Sequence, residues 1–126
     1  MDLIKVLVAE DTPDQRAVAE LHLRRLGFTV LGAADGREAV EIALRERPAA
    51  IVMDMEMPVM TGLEAVRLLR EAGFAAPVLA MTAHVGAREK AAALAAGCDG
   101  VLSKPVNPAQ LKAALASALG PRQPAD

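Results

Sequence analysis

The chain has 126 residues, a net charge of −2 and a single cysteine, so it holds one ordinary domain and lacks the basic excess that a nucleic-acid or membrane-surface binder needs. With 53% hydrophobic and 24% charged residues, its composition is that of a globular chain. The lone Cys98 and two well-separated histidines, His22 and His84, exclude an internal disulfide and a cysteine-ligated zinc site.

The start, Met1-Asp2-Leu3-Ile4-Lys5, lacks the charged segment ahead of a long apolar run that marks a signal peptide. No apolar stretch reaches the roughly 18 residues of a membrane span. The expected location is the cytoplasm.

Val6-Leu7-Val8-Ala9 is a continuous apolar run, as in a strand buried on both faces. Glu10-Asp11 ends it. Thr12-Pro13-Asp14-Gln15 then places Thr at an N-cap, Pro at N1 and Gln at N3 of a helix that Gly27 stops. Thr29-Val30-Leu31 is the one ambiguous run and the expected edge strand. Asp35-Gly36-Arg37-Glu38 is a capping box opening a helix closed before Pro48. Ala50-Ile51-Val52-Met53 ends in Asp54, and Thr61-Gly62-Leu63-Glu64 caps a third helix that runs to Gly73. Val78-Leu79-Ala80-Met81 ends in Thr82. The helix after it, from about Gly86 to Ala96, has the weakest start signal. Val101-Leu102 leads into Ser103-Lys104-Pro105, and Asn107-Pro108-Ala109-Gln110 caps the last helix, which ends at Gly120.

The pattern is strand then helix, five times. Parallel strands need crossovers, and these are right-handed, which predicts a doubly wound α/β fold with helices on both faces of a five-stranded parallel sheet. Residues 1–120 form the expected domain, and residues 121–126 a disordered tail or the start of a linker. Met53, Met55, Met57, Met60 and Met81 read as packing residues, Cys98 as a small buried one, and His22 as a residue of the core margin with Val18 and Leu26. Phe28 and Phe74 follow helix-stopping glycines and are expected to pack over helix ends.

Ligands of open α/β sheets bind outside the carboxyl ends of the strands. There the sequence offers Glu10 and Asp11 from the first strand, Asp54 from the third, Thr82 from the fourth and Lys104 from the fifth. Three carboxylates brought together repel one another and call for a cation. An all-oxygen set with open positions suits Mg²⁺, which often bridges to a phosphate. Lys104 is a point charge suited to a phosphoryl oxygen, and Thr82 can donate a hydroxyl hydrogen. No glycine-rich phosphate loop follows the first strand, so neither the dinucleotide fingerprint nor the Walker loop is present. That favours a phosphoryl group carried on the protein itself, with a carboxylate as the nucleophile.

In Val6-Leu7-Val8-Ala9-Glu10-Asp11, Asp54-Met55-Glu56-Met57-Pro58-Val59-Met60-Thr61-Gly62, Met81-Thr82-Ala83 and Ser103-Lys104-Pro105, the chain resembles a response-regulator receiver domain over about Lys5 to Leu119. The segments Met81-Thr82-Ala83-His84 and Ala95-Ala96-Gly97-Cys98-Asp99-Gly100 most resemble receivers attached to hybrid sensor kinases. The resemblance implies a flavodoxin-like fold with strand order 2-1-3-4-5. It implies Asp54 as phosphoacceptor, with Mg²⁺ held by Asp11, Asp54 and the backbone carbonyl of Glu56, and with Glu10 acting through water. Thr82 and Lys104 would contact the phosphoryl oxygens, and a cis bond would join Lys104 to Pro105.

The implied partner is a sensor histidine kinase or a histidine phosphotransfer protein docking beside the first helix. The face of the fourth helix, fifth strand and fifth helix would serve output or self-association, with neither nucleic acid nor membrane as partner. One departure stands out. The family often has an aromatic three residues before the lysine, and this chain has Val101. Two other readings are a phosphorylation-independent docking domain of the same fold, which predicts damage to the acid set, and an aspartyl-phosphate hydrolase, which usually carries its nucleophile in a D-x-D motif at the first strand.

Overall fold

The computed structural model describes residues 3–120. The expectation for residues 121–126 lies outside them. The elements run β1 (Lys5–Ala9), α1 (Pro13–Arg25), β2 (Thr29–Ala33), α2 (Gly36–Glu46), β3 (Ala50–Asp54), α3 (Gly62–Glu71), β4 (Val78–Thr82), α4 (Ala87–Ala96), β5 (Gly100–Ser103) and α5 (Pro108–Leu119). All four strand pairings are parallel, and the order is β2-β1-β3-β4-β5, which leaves β2 at an edge as expected.

The continuous apolar runs are explained by the two cores. Successive strand residues point to opposite faces. Leu7, Ala9, Ile51, Met53, Val78 and Ala80 pack under α2, α3 and α4, with Ala39, Ala43, Ala65, Leu69 and Ala93. Val6, Val8, Val52, Leu79 and Met81 pack under α1 and α5, with Ala19, Leu23, Leu111, Leu115 and Leu119. A strand with apolar residues at every position therefore satisfies both. Each fully buried large side chain, Ile51 or Leu111 for example, contributes about 2 kcal/mol through area removed from water.

Helix ends follow the sequence signals, with two corrections. Asp35, Thr61 and Asn107 accept side-chain cap bonds from Glu38 N–H, Glu64 N–H, and both Ala109 and Gln110 N–H. Thr12 occupies the N-cap of α1, but its side chain makes no cap bond. Pro13 has no N–H to satisfy, and Asp14 and Gln15 are exposed, so water can serve that end. The stop before Pro48 is made by Arg47, which takes a left-handed φ of 50°. A residue preceding proline is disfavoured in the right-handed helical region. At the ends of α1 and α3, Phe28 N–H returns to Leu23 O at 3.2 Å and Phe74 N–H to Leu69 O at 2.9 Å. That places both rings, buried, over the helix ends.

His22 is half-buried, whereas Val18 is 51% exposed and lines a surface groove rather than the core margin. The methionines at 53, 57 and 81 are buried, and Met55 and Met60 pack against the same core as Met53. Cys98 is buried, and that burial pushes its thiol up to about 11. Among the described residues, no helix is long and apolar enough to cross a membrane.

Candidate functional site

The carboxyl ends of β1, β3, β4 and β5 bring the site together. Asp54 and Thr82 are the last residues of β3 and β4, while Glu10 and Lys104 immediately follow β1 and β5. Among the described residues, Glu10, Asp54 and Thr82 are the buried polar side chains, at 1%, 2% and 4% exposure. Glu10, Asp11 and Asp54 each offer a carboxylate oxygen, and these lie within 4.8 Å of one another.

Lys104 holds two of the acids. Its Nζ is 2.6 Å from Glu10 Oε1 and 3.0 Å from Asp54 Oδ2. Its backbone N–H donates to Thr82 O at 2.9 Å, and the Lys104–Pro105 peptide is cis. Burial pulls the ammonium pKa down, but the bonds to Glu10 and Asp54 outweigh that and raise it above the ordinary value. Lys104 therefore stays charged at neutral pH. Glu10 is pushed up to about 7, first by burial and then by the neighbouring Asp54, against the opposing pull of Lys104. Its Oε2 has no hydrogen-bond partner among the described residues. A buried oxygen left in that state is costly, and a hard cation or its water would satisfy it.

Glu56 stands in the loop after β3. Its N–H donates to Asp54 Oδ1 at 3.0 Å, and its side chain is exposed. The loop folds back tightly: Gly62 N–H bonds Met55 O at 3.2 Å. A Cβ at Gly62 would collide with the Asp54 backbone carbonyl, so only glycine fits there. Thr82 does not face Asp54 by a hydrogen bond. Its Oγ1 accepts from His84 N–H at 3.2 Å and donates to His84 O at 3.4 Å. Val101 is half-buried against the core under α3 and α4.

All the sequence-derived candidates thus share one strand edge, with Asp11 half-buried at its rim. Sequence reasoning missed Arg16, whose Nη1 donates to Glu10 O at 2.8 Å. A single arginine in an arginine-rich helix carries no pattern to find it by. Beside the acids lies a cavity of about 510 Å³, lined among others by Gln15, Val18, Ala83, Lys104, Pro105 and Val106.

The response regulator receiver domain sequence family matches residues 6–116. Response regulator MprA of Mycolicibacterium vanbaalenii is 39% identical over 126 residues, covering 98% of this chain and 53% of its own length. The chain spans about half the length of the curated relatives it matches. Among solved structures, the chemotaxis protein CheY4 of Vibrio cholerae matches at a TM-score of 0.88 with 36% identity, covering 94% of this chain and 100% of that one. The receiver domain of sensor histidine kinase PA1611 from Pseudomonas aeruginosa, with a magnesium ion coordinated in its active-site cleft, matches at 0.86 with 37% identity, covering 94% and 99%. The five-stranded order, the acids at its edge and these likenesses agree: the chain belongs to the response regulator receiver domain family of two-component signalling.

Proposed function

We propose that residues 1–120 are a receiver domain that accepts a phosphoryl group from a phosphohistidine partner on Asp54, with Mg²⁺, and thereby changes its affinity for another protein. The observation that carries this is the meeting of a buried carboxylate, two further acids and a lysine that touches both buried carboxylates. A docking domain working without phosphorylation would tolerate damage to that set, and the set is intact.

The donor set suits Mg²⁺, being all oxygen and including a buried, unpartnered one. Asp11, Asp54 and the Glu56 carbonyl would hold the ion, with Glu10 acting through water. Bound there, the ion would offset the repulsion among the acids and the charge of the incoming phosphoryl group. An Asp54 oxygen supplies the electron pair. Its bond to phosphorus forms as the bond from phosphorus to the donor imidazole nitrogen breaks, and the nitrogen keeps that pair. Lys104, kept protonated, draws the phosphoryl oxygens. The Thr82 hydroxyl turns from His84 O to one of them. The domain catalyses this modification on itself and its slow hydrolysis, in which water takes the phosphoryl group away as inorganic phosphate and the Asp54 carboxylate is restored.

The cavity beside α1 and the Lys104-Pro105-Val106 segment is where a sensor histidine kinase or a histidine phosphotransfer protein would present its imidazole. The face of α4, β5 and α5 would meet a downstream protein or a second copy. A net charge of −2 favours protein partners over nucleic acid or membrane for these residues. Such chemistry belongs in the cytoplasm.

Incubation with phosphoramidate and Mg²⁺, followed by intact mass, tests the reading. We expect one phosphoryl group per chain, lost when Mg²⁺ is chelated and strongly reduced in Asp11→Ala. No adduct, or an adduct indifferent to Mg²⁺, would contradict it.

A further inference from the structure

We propose that Arg16 is a positioning residue: its guanidinium fixes the peptide joining Glu10 to Asp11 and so aims the Asp11 carboxylate at the divalent cation. The inference rests on the metal-dependent reading above. Two of the three acids are held by their side chains. Asp54 accepts from Glu56 N–H and Lys104, and Glu10 meets Lys104. Among the described residues, the Asp11 carboxylate has no hydrogen bond or ion pair. Its direction has to come from the backbone.

That backbone is clamped on two sides. Glu10 N–H donates to Ala33 O at 3.0 Å, and Glu10 O accepts from Arg16 Nη1 at 2.8 Å. The Glu10 carbonyl and the Asp11 N–H belong to one planar unit. Holding the oxygen sets that plane, and with it the line along which the Asp11 side chain departs. Arg16 is half-buried, one turn into α1, and its stem shares the space beside Gly32 with Glu20, whose carboxylate a Cβ at Gly32 would strike while only touching the Arg16 stem.

The partner chosen by Arg16 is informative. Three carboxylates stand nearby, yet among the described residues none is in ion-pair range of the guanidinium. The charge rests on a neutral carbonyl and leaves the acids free for a cation. This allows a test by sign. If Arg16 were only a nearby positive charge, removing it would tighten Mg²⁺ binding, because like charges repel. If it positions Asp11, removing it weakens binding.

The test measures Mg²⁺ dissociation constants from amide chemical shifts in the full chain, alongside melting temperatures in metal-free buffer. Arg16→Met should weaken Mg²⁺ binding on the order of 10-fold, as loss of a partner behind a metal ligand does. Arg16→Lys, which keeps a donor of similar reach, should restore most of it. Arg16→Gln, whose donor is too short, gives the same readout as Arg16→Met should the latter fail to fold. Affinity that is unchanged or tighter in Arg16→Met or Arg16→Gln overturns the proposal. Wild-type chain without saturable Mg²⁺ binding overturns the metal-dependent reading and this proposal together. Wild-type binding matched by Arg16→Met overturns the role of Arg16 alone.

Discussion

Lys104 Nζ lies 2.6 Å from Glu10 Oε1, although the two residues follow β5 and β1, strands separated in the sheet by β3 and β4. The lysine thus reaches over the ends of two strands and touches Asp54 on the way. One cation offsets two buried carboxylates. A second positive charge is what that imbalance invites, and Mg²⁺ would supply it.

Replacing Lys104 by Met should leave Glu10 and Asp54 facing each other without compensation. Breaking a buried pair by removing one partner is costly. Because Lys104 is partly exposed, the expected loss in metal-free buffer is about 2 kcal/mol, below that of a fully buried pair. Mg²⁺ should recover part of it. Urea unfolding with and without Mg²⁺ measures both, and a variant as stable as wild type without metal would contradict the account.

The acid site should also make metal-free stability depend on pH. The folded pKa of Glu10, about 7, lies above the ordinary value of 4.5. A carboxyl group shifted upward favours folding in its protonated form. That contribution is complete below the unfolded value and is lost as pH rises through the folded one. Melting temperature in chelator should therefore fall between about pH 5 and pH 8, and Glu10→Gln should flatten the fall. Equal slopes in the two proteins would show that another group governs it.

Much of this was open to reading in the chain because strand ends and chemistry coincide. Glu10, Asp54, Thr82 and Lys104 each interrupt an apolar run, so the signal for where a strand stops is also the signal for what the site contains. Strand bounds came out one residue short at Lys5, Asp54, Thr82 and Ser103, because polar residues inside a strand look like its end, while β2 runs on through Gly32 and Ala33 and β5 begins at Gly100, where glycine reads as a break. Three features were beyond sequence reasoning. The missing Thr12 cap bond depends on solvent access, the left-handed Arg47 on the proline after it, and the Arg16 bond on how closely α1 approaches the Glu10 carbonyl.

Phosphoryl lifetime should be long. Glu56 and His84 both have exposed side chains, and among the described residues neither side chain hydrogen-bonds Asp54. Glu56 would repel an anionic transition state, and His84 would crowd the approach of water. Decay of the phosphorylated chain should be unchanged or faster in Glu56→Ala and His84→Ala. Markedly slower decay in His84→Ala would mean that the imidazole assists hydrolysis.

Switching should be concentrated near the phosphoryl group. In the structure Thr82 bonds its own loop through His84, so turning toward Asp54 would break those contacts and move that loop. Val101 is stiff about χ1 and has no ring to fill the space vacated. A modification shifts an equilibrium only through contacts that differ between the states. Beryllofluoride should therefore perturb amide shifts at Asp54, Thr82, Ala83 and Lys104 far more than along α5. Changes of equal size throughout Ala109 to Leu119 would show that another element takes the place of the aromatic.

The central claim is that Asp54 is the residue modified. After incubation with phosphoramidate and Mg²⁺, peptide mass mapping should place the phosphoryl group on the peptide containing Asp54. Asp54→Asn, nearly isosteric and folded, should carry none. A stoichiometric adduct remaining in Asp54→Asn, or mapped to another peptide, would contradict the account.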